Sequence, residues 1–130
     1  MSEALARILV VGAGGFLGAV ARYGLGGLVH RAYGGAFPLG TLLVNVAGCL
    51  AIGVVVTLVE EREVFGAHAR MFLTIGLLGA FTTFSAFGHE TLRLARDGAW
   101  AAAALNVGAN VALGLAAVVG GCALARLGSS

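Results

Sequence analysis

The sequence predicts an all-α membrane protein in which four helices cross the bilayer. Of its 130 residues, 59% are hydrophobic and 11% charged, and the mean hydropathy of +0.98 lies outside the range of soluble domains. A bilayer requires about 20 apolar residues per helix, and ionisable side chains leave four charge-free stretches, residues 8–21, 32–59, 71–88 and 98–125. We therefore predict one domain, residues 1–130, with helices over about 3–29, 38–59, 69–95 and 99–125.

The first charge-free stretch is short for a span, so helix 1 has to include Arg22. The Arg22 side chain either anchors the helix at the interface beside Tyr23 or attracts anions at a pore mouth, and the residues alone favour the anchor. We expect this span to be retained rather than cleaved as a signal peptide, because three further spans follow it.

Gly12, Gly15 and Gly18 follow an apolar run with the spacing of a dinucleotide-binding loop. That motif requires a strand–helix–strand unit and an acidic residue about 20 positions later. Residues 25–45 contain no Asp or Glu, so we interpret these glycines, including the Gly14-xxx-Gly18 pair, as a place where another helix approaches closely.

Helix 2 carries one amide at membrane depth. Pro38 suits its first turn, and Asn45 follows with Thr41 and Gly48 on the same side. Because an amide cannot stay unpaired in the bilayer, Asn45 either clasps another helix or donates to a ligand.

Helix 3 contains the most unusual stretch, residues 76–90, GLLGAFTTFSAFGHE. Its glycines and threonines are poor helix formers, which indicates backbone that does more than pack. Phe81, Phe84 and Phe87 recur every third residue and share a broad face. Such a stripe is ordinarily core packing. Glu90 closes the charge-free run and is expected at the membrane surface.

Helix 4 places Asn106 and Asn110 four residues apart on one face, where they either clasp a neighbour or face a polar path. Cys49 and Cys122 lack CxxC or metal-binding spacing, so we expect small buried apolar residues. No catalytic constellation is present, which argues against an enzyme. The net charge of +2 is too small for a nucleic-acid partner.

The arginines give no clear orientation bias. One side would carry Arg7, Arg62, Arg70 and Arg126, and the other Arg31, Arg93 and Arg96 with Arg22 near it. Because arginine asymmetry sets orientation, this chain can insert both ways, and two copies can pair antiparallel into an inverted repeat. Four helices barely enclose a path, so we expect a homodimer surrounded by membrane lipid.

Four sequence segments resemble the small fluoride channels of the Fluc or CrcB family. They are GGFLGAVARY at 14–23, NVAG at 45–48, GAFTTFSAFGHETL at 79–92 and the asparagine- and glycine-containing fourth span. The resemblance covers nearly the whole chain, and the third-span segment is specific to that family.

This resemblance implies an antiparallel, dual-topology homodimer in the plasma (inner) membrane of a bacterium or archaeon, which conducts fluoride passively out of the cell and confers fluoride resistance. It implies a helix 3 broken in mid-membrane, where main-chain carbonyls of Gly79 and Thr82 bind a structural Na⁺ at the dimer centre. The implied pore residues are Asn45, Phe84, Phe87, Ser85, Thr41 and Asn110, with Arg22 and Glu90 at the vestibules.

The chain departs from the family pattern at Ala86, where a threonine hydroxyl is usual, and at Asn106 and Asn110, where tyrosine and serine are common. These departures concern the polar track along the pore.

General physical chemistry agrees with fluoride as the ion. A dry passage would cost a small anion roughly tens of kcal/mol, and a fixed cation in the pore would hold it too tightly. Neutral donors such as Asn45 and Ser85 avoid this, and the positive edges of Phe84 and Phe87 can face an anion.

Two rival functions follow from the same architecture. A small multidrug-resistance-type proton-coupled exporter also has four spans, but it needs a membrane carboxylate in helix 1, where this chain has only Glu3 at the start. The second rival is an assembly subunit that transports nothing.

Overall fold

The computed structural model describes residues 1–128, and its four spans are long and apolar enough to cross a membrane. This confirms the prediction of an all-helical, four-span chain. Three spans are single helices: α1 (Glu3–Tyr33), α2 (Leu39–Glu60) and α6 (Trp100–Leu127). The third span, Ala67–Arg96, consists of α3 (Ala67–Met71), a π-helix called π1 (Phe72–Leu78), α4 (Gly79–Phe81) and α5 (Phe84–Arg96).

Local capping sets the helix ends and explains why they differ from the predicted bounds. The prediction ended helix 1 at residue 29, but α1 continues to Tyr33, where Gly34 adopts φ +61° and donates its N–H to the His30 carbonyl. A left-handed glycine is a common helix stop. Pro38 lies just before α2, as its N-cap, rather than inside the first turn.

Glycines allow the helices to pack backbone against backbone. A Cβ at Gly53 would meet the Val118 carbonyl oxygen, and one at Gly121 would meet the Leu50 carbonyl oxygen, so α2 and α6 cross in close contact. A Cβ at Gly14 would lie 2.5 Å from the Phe72 carbonyl oxygen. The prediction that the Gly14-xxx-Gly18 pair admits another helix is therefore confirmed, and the partner is π1.

The apolar run before these glycines forms no strand. Residues 8–18 lie inside the continuous helix α1, and no β-strand occurs within residues 1–128. The dinucleotide-loop interpretation is therefore excluded.

At one end of the bundle, polar contacts link the start of α1 to α3 and the α2–α3 connection to the end of α6. His68 Nε2 lies 3.5 Å from Glu3 Oε1, and Arg126 Nη2 lies 2.6 Å from Glu61 Oε1. Hydrogen bonds from Arg126 lower the pKa of Glu61 below its ordinary value. Arg62 donates to the Ala125 carbonyl, 3.0 Å away, near the α6 C-terminus. Four membrane crossings require the N-terminus, the α2–α3 connection and the end of α6 to lie on the same side, as these contacts place them.

The third span is regular only in part. The π-helical turns of π1 present a widened backbone to α1, and a Cβ at Gly76 would lie 2.7 Å from the Val11 carbonyl oxygen. Between α4 and α5, Thr82 and Thr83 take extended dihedrals, with ψ of 158° and 117°. We call these two residues the interruption. The π-helix was not predicted, because no residue pattern distinguishes it from an α-helix.

Gly18→Ala is expected to destabilise the fold because the new methyl would meet the Leu77 carbonyl oxygen and lie 3.0 Å from the Phe81 nitrogen. Overpacking of this kind costs about 1–3 kcal/mol. The measurement is the thermal transition of the detergent-solubilised protein. Gly12→Ala is the matched control, since nothing lies within 4 Å of its Cβ. Equal effects of the two substitutions would contradict the packing described above.

Candidate functional site

Asn45 binds both backbone polar groups of Thr83 in the interruption. The Thr83 N–H donates to Asn45 Oδ1 at 2.8 Å, and Asn45 Nδ2 donates to the Thr83 carbonyl at 3.1 Å. Asn45 Nδ2 also donates to Asn110 Oδ1 at 3.1 Å. Of the two roles the sequence left open for Asn45, these contacts show the interhelical clasp.

The clasp redirects the hydrogen bonds of the neighbouring turns. In a continuous helix the Thr83 N–H would donate to the Gly79 carbonyl, but here it donates to Asn45. The Ala86 N–H would donate to the Thr82 carbonyl, but it donates to the Thr83 hydroxyl at 3.2 Å, which caps α5. The carbonyls of Gly79 and Thr82 thus lose their helical partners.

The interruption fits against α2 at one glycine. A Cβ at Gly48 would meet Thr82 Cγ2 and would lie 3.2 Å from Phe81 Cδ1. Gly48 follows Asn45 by nearly one turn, so the same face of α2 supplies both the amide that binds Thr83 and the space that admits Thr82.

Two aromatic rings converge beside the clasp. The ring centroids of Phe84 and Phe87 lie 5.3 Å apart with their planes tilted by 54°. Both rings line a cavity of about 390 Å³ together with Asn45 and Asn110. Phe84 is 84% exposed, and Gly79 is exposed on the same face. Within residues 1–128, the lining of this cavity includes amides, hydroxyls and aromatic rings but no Asp, Glu, His, Lys or Arg.

A family model described as CrcB-like protein, Camphor Resistance (CrcB), matches residues 9–122. The chain belongs to the CrcB family. It is similar to a fluoride-specific ion channel FluC of Nitratidesulfovibrio vulgaris, 49% identical over 93% of this chain and 98% of the relative. A FluC of Maridesulfovibrio salexigens is 43% identical over 93% and 96%, and FluC 1 of Moorella thermoacetica is 46% identical over 92% and 85%.

With four apolar spans, this CrcB chain is a multi-pass membrane protein of a bacterial family. Its relatives bear the names of ion channels, a class that is not enzymatic.

The two residues predicted for the vestibules, Arg22 and Glu90, line two further cavities. Arg22, half-buried, lines a cavity of about 300 Å³ with Thr41 and Thr83. Glu90 lines a larger one of about 620 Å³ with Thr41, and it accepts a hydrogen bond from the Thr41 hydroxyl at 2.8 Å. The other carboxylate oxygen, Oε2, is buried and has no hydrogen-bond partner within residues 1–128. Thr41 therefore links the two predicted vestibule residues.

Ser85 lies apart from the other predicted pore residues. Its side chain is exposed, and its hydroxyl lies 3.3 Å from the Thr83 hydroxyl. It lines none of the three cavities described here.

Sequence reasoning gave Thr83 and Thr91 no role in this site, and it left open whether Asn106 clasps a neighbour or faces a polar path. Thr83 caps α5, which a hydroxyl residue placed immediately before a helix could have indicated. Asn106 donates to the Thr91 hydroxyl at 2.9 Å, a pairing between two spans that sequence spacing does not reveal.

Gly48→Ala is expected to displace the interruption, because its methyl would occupy the position of Thr82 Cγ2. The cost should be about 1–3 kcal/mol, measured as a loss of thermal stability. Adding Thr82→Ser removes the opposing methyl and keeps the hydroxyl, so the double variant should recover part of the loss. Gly108→Ala is the control, with nothing within 4 Å of its Cβ. No recovery in the double variant would contradict this fit.

Proposed function

We propose that this protein is a fluoride-selective, passive ion channel. The observation that carries the proposal is the 390 Å³ cavity, in which two tilted phenylalanine rings and neutral amides converge without any charged side chain. The names of its relatives, fluoride-specific ion channels at 43–49% identity, support the same ion.

Such a cavity suits an anion that has to bind and then leave. Aromatic rings are positive at their edges, and amide N–H groups are neutral donors, so neither traps the ion as a fixed cation would. Both Asn45 amide hydrogens are already donated, over 3.1 Å, to Thr83 and Asn110. Fluoride therefore has to replace one of these two acceptors in order to be bound by Asn45.

The three cavities describe a route to this site. The cavity of Arg22 shares Thr83 with the phenylalanine cavity and shares Thr41 with the cavity of Glu90. We place Arg22 and Glu90 at the vestibules, with Thr41 and Asn110 along the polar track. Ser85 would join this track where a second chain covers its exposed side.

The functional unit we propose is an antiparallel, dual-topology homodimer, with the interruption at mid-membrane. The exposure of Phe84 and Gly79 around one cavity, and of Ile75 (60%) in the same span, supports a second copy packed against the third span. The nearly even arginine distribution permits both orientations. Irregular backbone at membrane depth is tolerated only where protein or a cavity satisfies it, and the Asn45 clasp does so.

A structural Na⁺ at the dimer centre fits the residues present. The Gly79 and Thr82 carbonyls lose their helical N–H partners to the Asn45 amide and the Thr83 hydroxyl, and carbonyl oxygens are suitable ligands for a hard cation. When bound, the ion would supply positive charge to these carbonyls and join the two chains.

In the cell, the protein would lie in the inner membrane and release fluoride that enters as neutral HF and ionises in the cytoplasm. Flow down the gradient would confer fluoride resistance. The proton-coupled exporter has no support here: Glu3, the acidic residue of α1, is exposed in the first turn and lies 3.0 Å from Arg7.

Fluoride efflux from liposomes tests the proposal. Purified protein should release fluoride, measured by electrode, well above empty liposomes, and it should release no chloride under the same gradient. Efflux no greater than from empty liposomes would favour the assembly-subunit alternative. Equal chloride release would refute selectivity for fluoride.

Replacing both rings, Phe84→Ile and Phe87→Ile, should abolish this efflux because aliphatic side chains have no positive edge to face the anion. The dimer should persist in size-exclusion chromatography. Phe65→Ile is the control, since Phe65 lies in the α2–α3 connection, outside the phenylalanine cavity. Undiminished efflux from the double variant would remove the rings from the mechanism.

A further inference from the structure

A continuous chain of hydrogen bonds runs from the Thr83 N–H, just before α5, to the Phe87 carbonyl in the first turn of α5. The Thr83 N–H donates to Asn45, Asn45 donates to Asn110 Oδ1, and Asn110 Nδ2 donates to Asn106 Oδ1 at 3.1 Å. Asn106 Nδ2 then donates to Thr91 Oγ1 at 2.9 Å, and the Thr91 hydroxyl donates to the Phe87 carbonyl at 2.7 Å. We call this chain the amide ladder.

Every bond of the ladder points in the same direction, and its ends are consistent with this. A backbone N–H, here of Thr83, can only donate, and a backbone carbonyl, here of Phe87, can only accept. The two ends are therefore compatible with one orientation of the three amides between them, and for Asn110 a second bond supports it, from Nδ2 to the Asn106 backbone carbonyl at 2.9 Å. Bonds that run in one direction polarise one another in a low-dielectric setting, so each amide strengthens the next.

Asn106 is the buried member of the ladder, 1% exposed. Its amide oxygen accepts from Asn110, and its amide nitrogen donates to Thr91. A reversed Asn106 amide would turn its nitrogen toward the Asn110 nitrogen, and a buried donor without an acceptor costs free energy. Thr91, by accepting from Nδ2, thus fixes the orientation of Asn106.

The two ends of the ladder enclose the ring pair. Thr83 immediately precedes Phe84, and the carbonyl at the other end belongs to Phe87. The ladder therefore fixes both ends of the segment that carries the rings. It also fixes which acceptor Asn110 offers to the Asn45 amide at the proposed fluoride site.

We propose that Asn106 and Thr91 are positioning residues for conduction. They do not line the ring cavity. Through Asn110 they fix the acceptor that faces the Asn45 amide and that fluoride has to replace, and they fix the ring segment. This inference rests on the proposed fluoride conduction and adds the residues that fix the acceptor facing its donor.

The composition of the chain allows the ladder to be observed directly. It has three asparagines, all in the ladder, and no glutamine. In a ¹⁵N–¹H correlation spectrum of the protein in lipid nanodiscs, every side-chain amide NH₂ signal therefore comes from Asn45, Asn106 or Asn110.

Threonine variants break one bond with little change of shape. Thr91→Val removes the hydroxyl and Thr91→Ser keeps it. The matched control is Thr57→Val, because the Thr57 hydroxyl, like that of Thr91, donates to the carbonyl four residues earlier, that of Gly53, at 2.9 Å, and this bond lies outside the ladder. We expect Thr91→Val to shift the Asn106 signals most and those of Asn110 and Asn45 progressively less. Thr91→Ser should keep the wild-type pattern, and Thr57→Val should leave the three amides unchanged.

The same variants are then measured in the liposome assay. Thr91→Val should lower fluoride efflux by about fivefold, the effect that one ordinary hydrogen bond supports, whereas Thr91→Ser and Thr57→Val should stay within about twofold of wild type. Asn106→Leu should lower efflux further. Combining it with Thr91→Val should add no further loss, since both substitutions break the same link.

Two results would overturn the inference. One is wild-type efflux from Thr91→Val in protein whose amide signals have moved. The other is that the Asn110 and Asn45 amide signals keep their wild-type chemical shifts in both Thr91→Val and Asn106→Leu. A wild-type protein that releases no fluoride would instead refute the proposed function, and the spectra would still show whether the ladder exists.

Discussion

The structure depends on the hydrogen bonding of one residue, Thr83. A helix that stops within an apolar span exposes a backbone N–H and a carbonyl, and in lipid each unpaired group costs about 2–7 kcal/mol. Asn45 binds both groups, at 2.8 and 3.1 Å. With the Asn45 clasp in place, the extended dihedrals of Thr82 and Thr83 are compatible with an otherwise apolar span.

Other features of the site follow from the clasp. Because Asn45 takes the Thr83 N–H, the Gly79 carbonyl loses its helical partner, and the Thr83 hydroxyl then caps α5. Gly48 leaves room for Thr82 on the same face of α2. Because α5 begins at Phe84, the rings of Phe84 and Phe87 lie together beside Asn45. One amide thus determines both where carbonyls are freed and where the aromatic rings converge.

Much of the fold could be predicted from the sequence, because charge spacing and apolar length determine spans without reference to tertiary contacts. The Gly14-xxx-Gly18 contact could also be predicted, because a pair of small residues at this spacing marks close helix packing. The π-helix Phe72–Leu78 could not be predicted, because no residue pattern distinguishes it from an α-helix. For Asn45 and Asn106, the sequence indicated an amide in need of a partner, but the identity of that partner depends on which helices lie side by side.

The most direct test is a solid-state NMR distance measurement in lipid bilayers, between the Thr83 backbone ¹⁵N and the Asn45 side-chain ¹³Cγ. We expect a measurable ¹⁵N–¹³C dipolar coupling, because Thr83 N lies 2.8 Å from Asn45 Oδ1 and Cγ is one bond farther. We also expect that the Thr83 N–H is not hydrogen-bonded to the Gly79 carbonyl. No coupling to Asn45, with a Thr83–Gly79 hydrogen bond in its place, would show a continuous third helix and contradict the account.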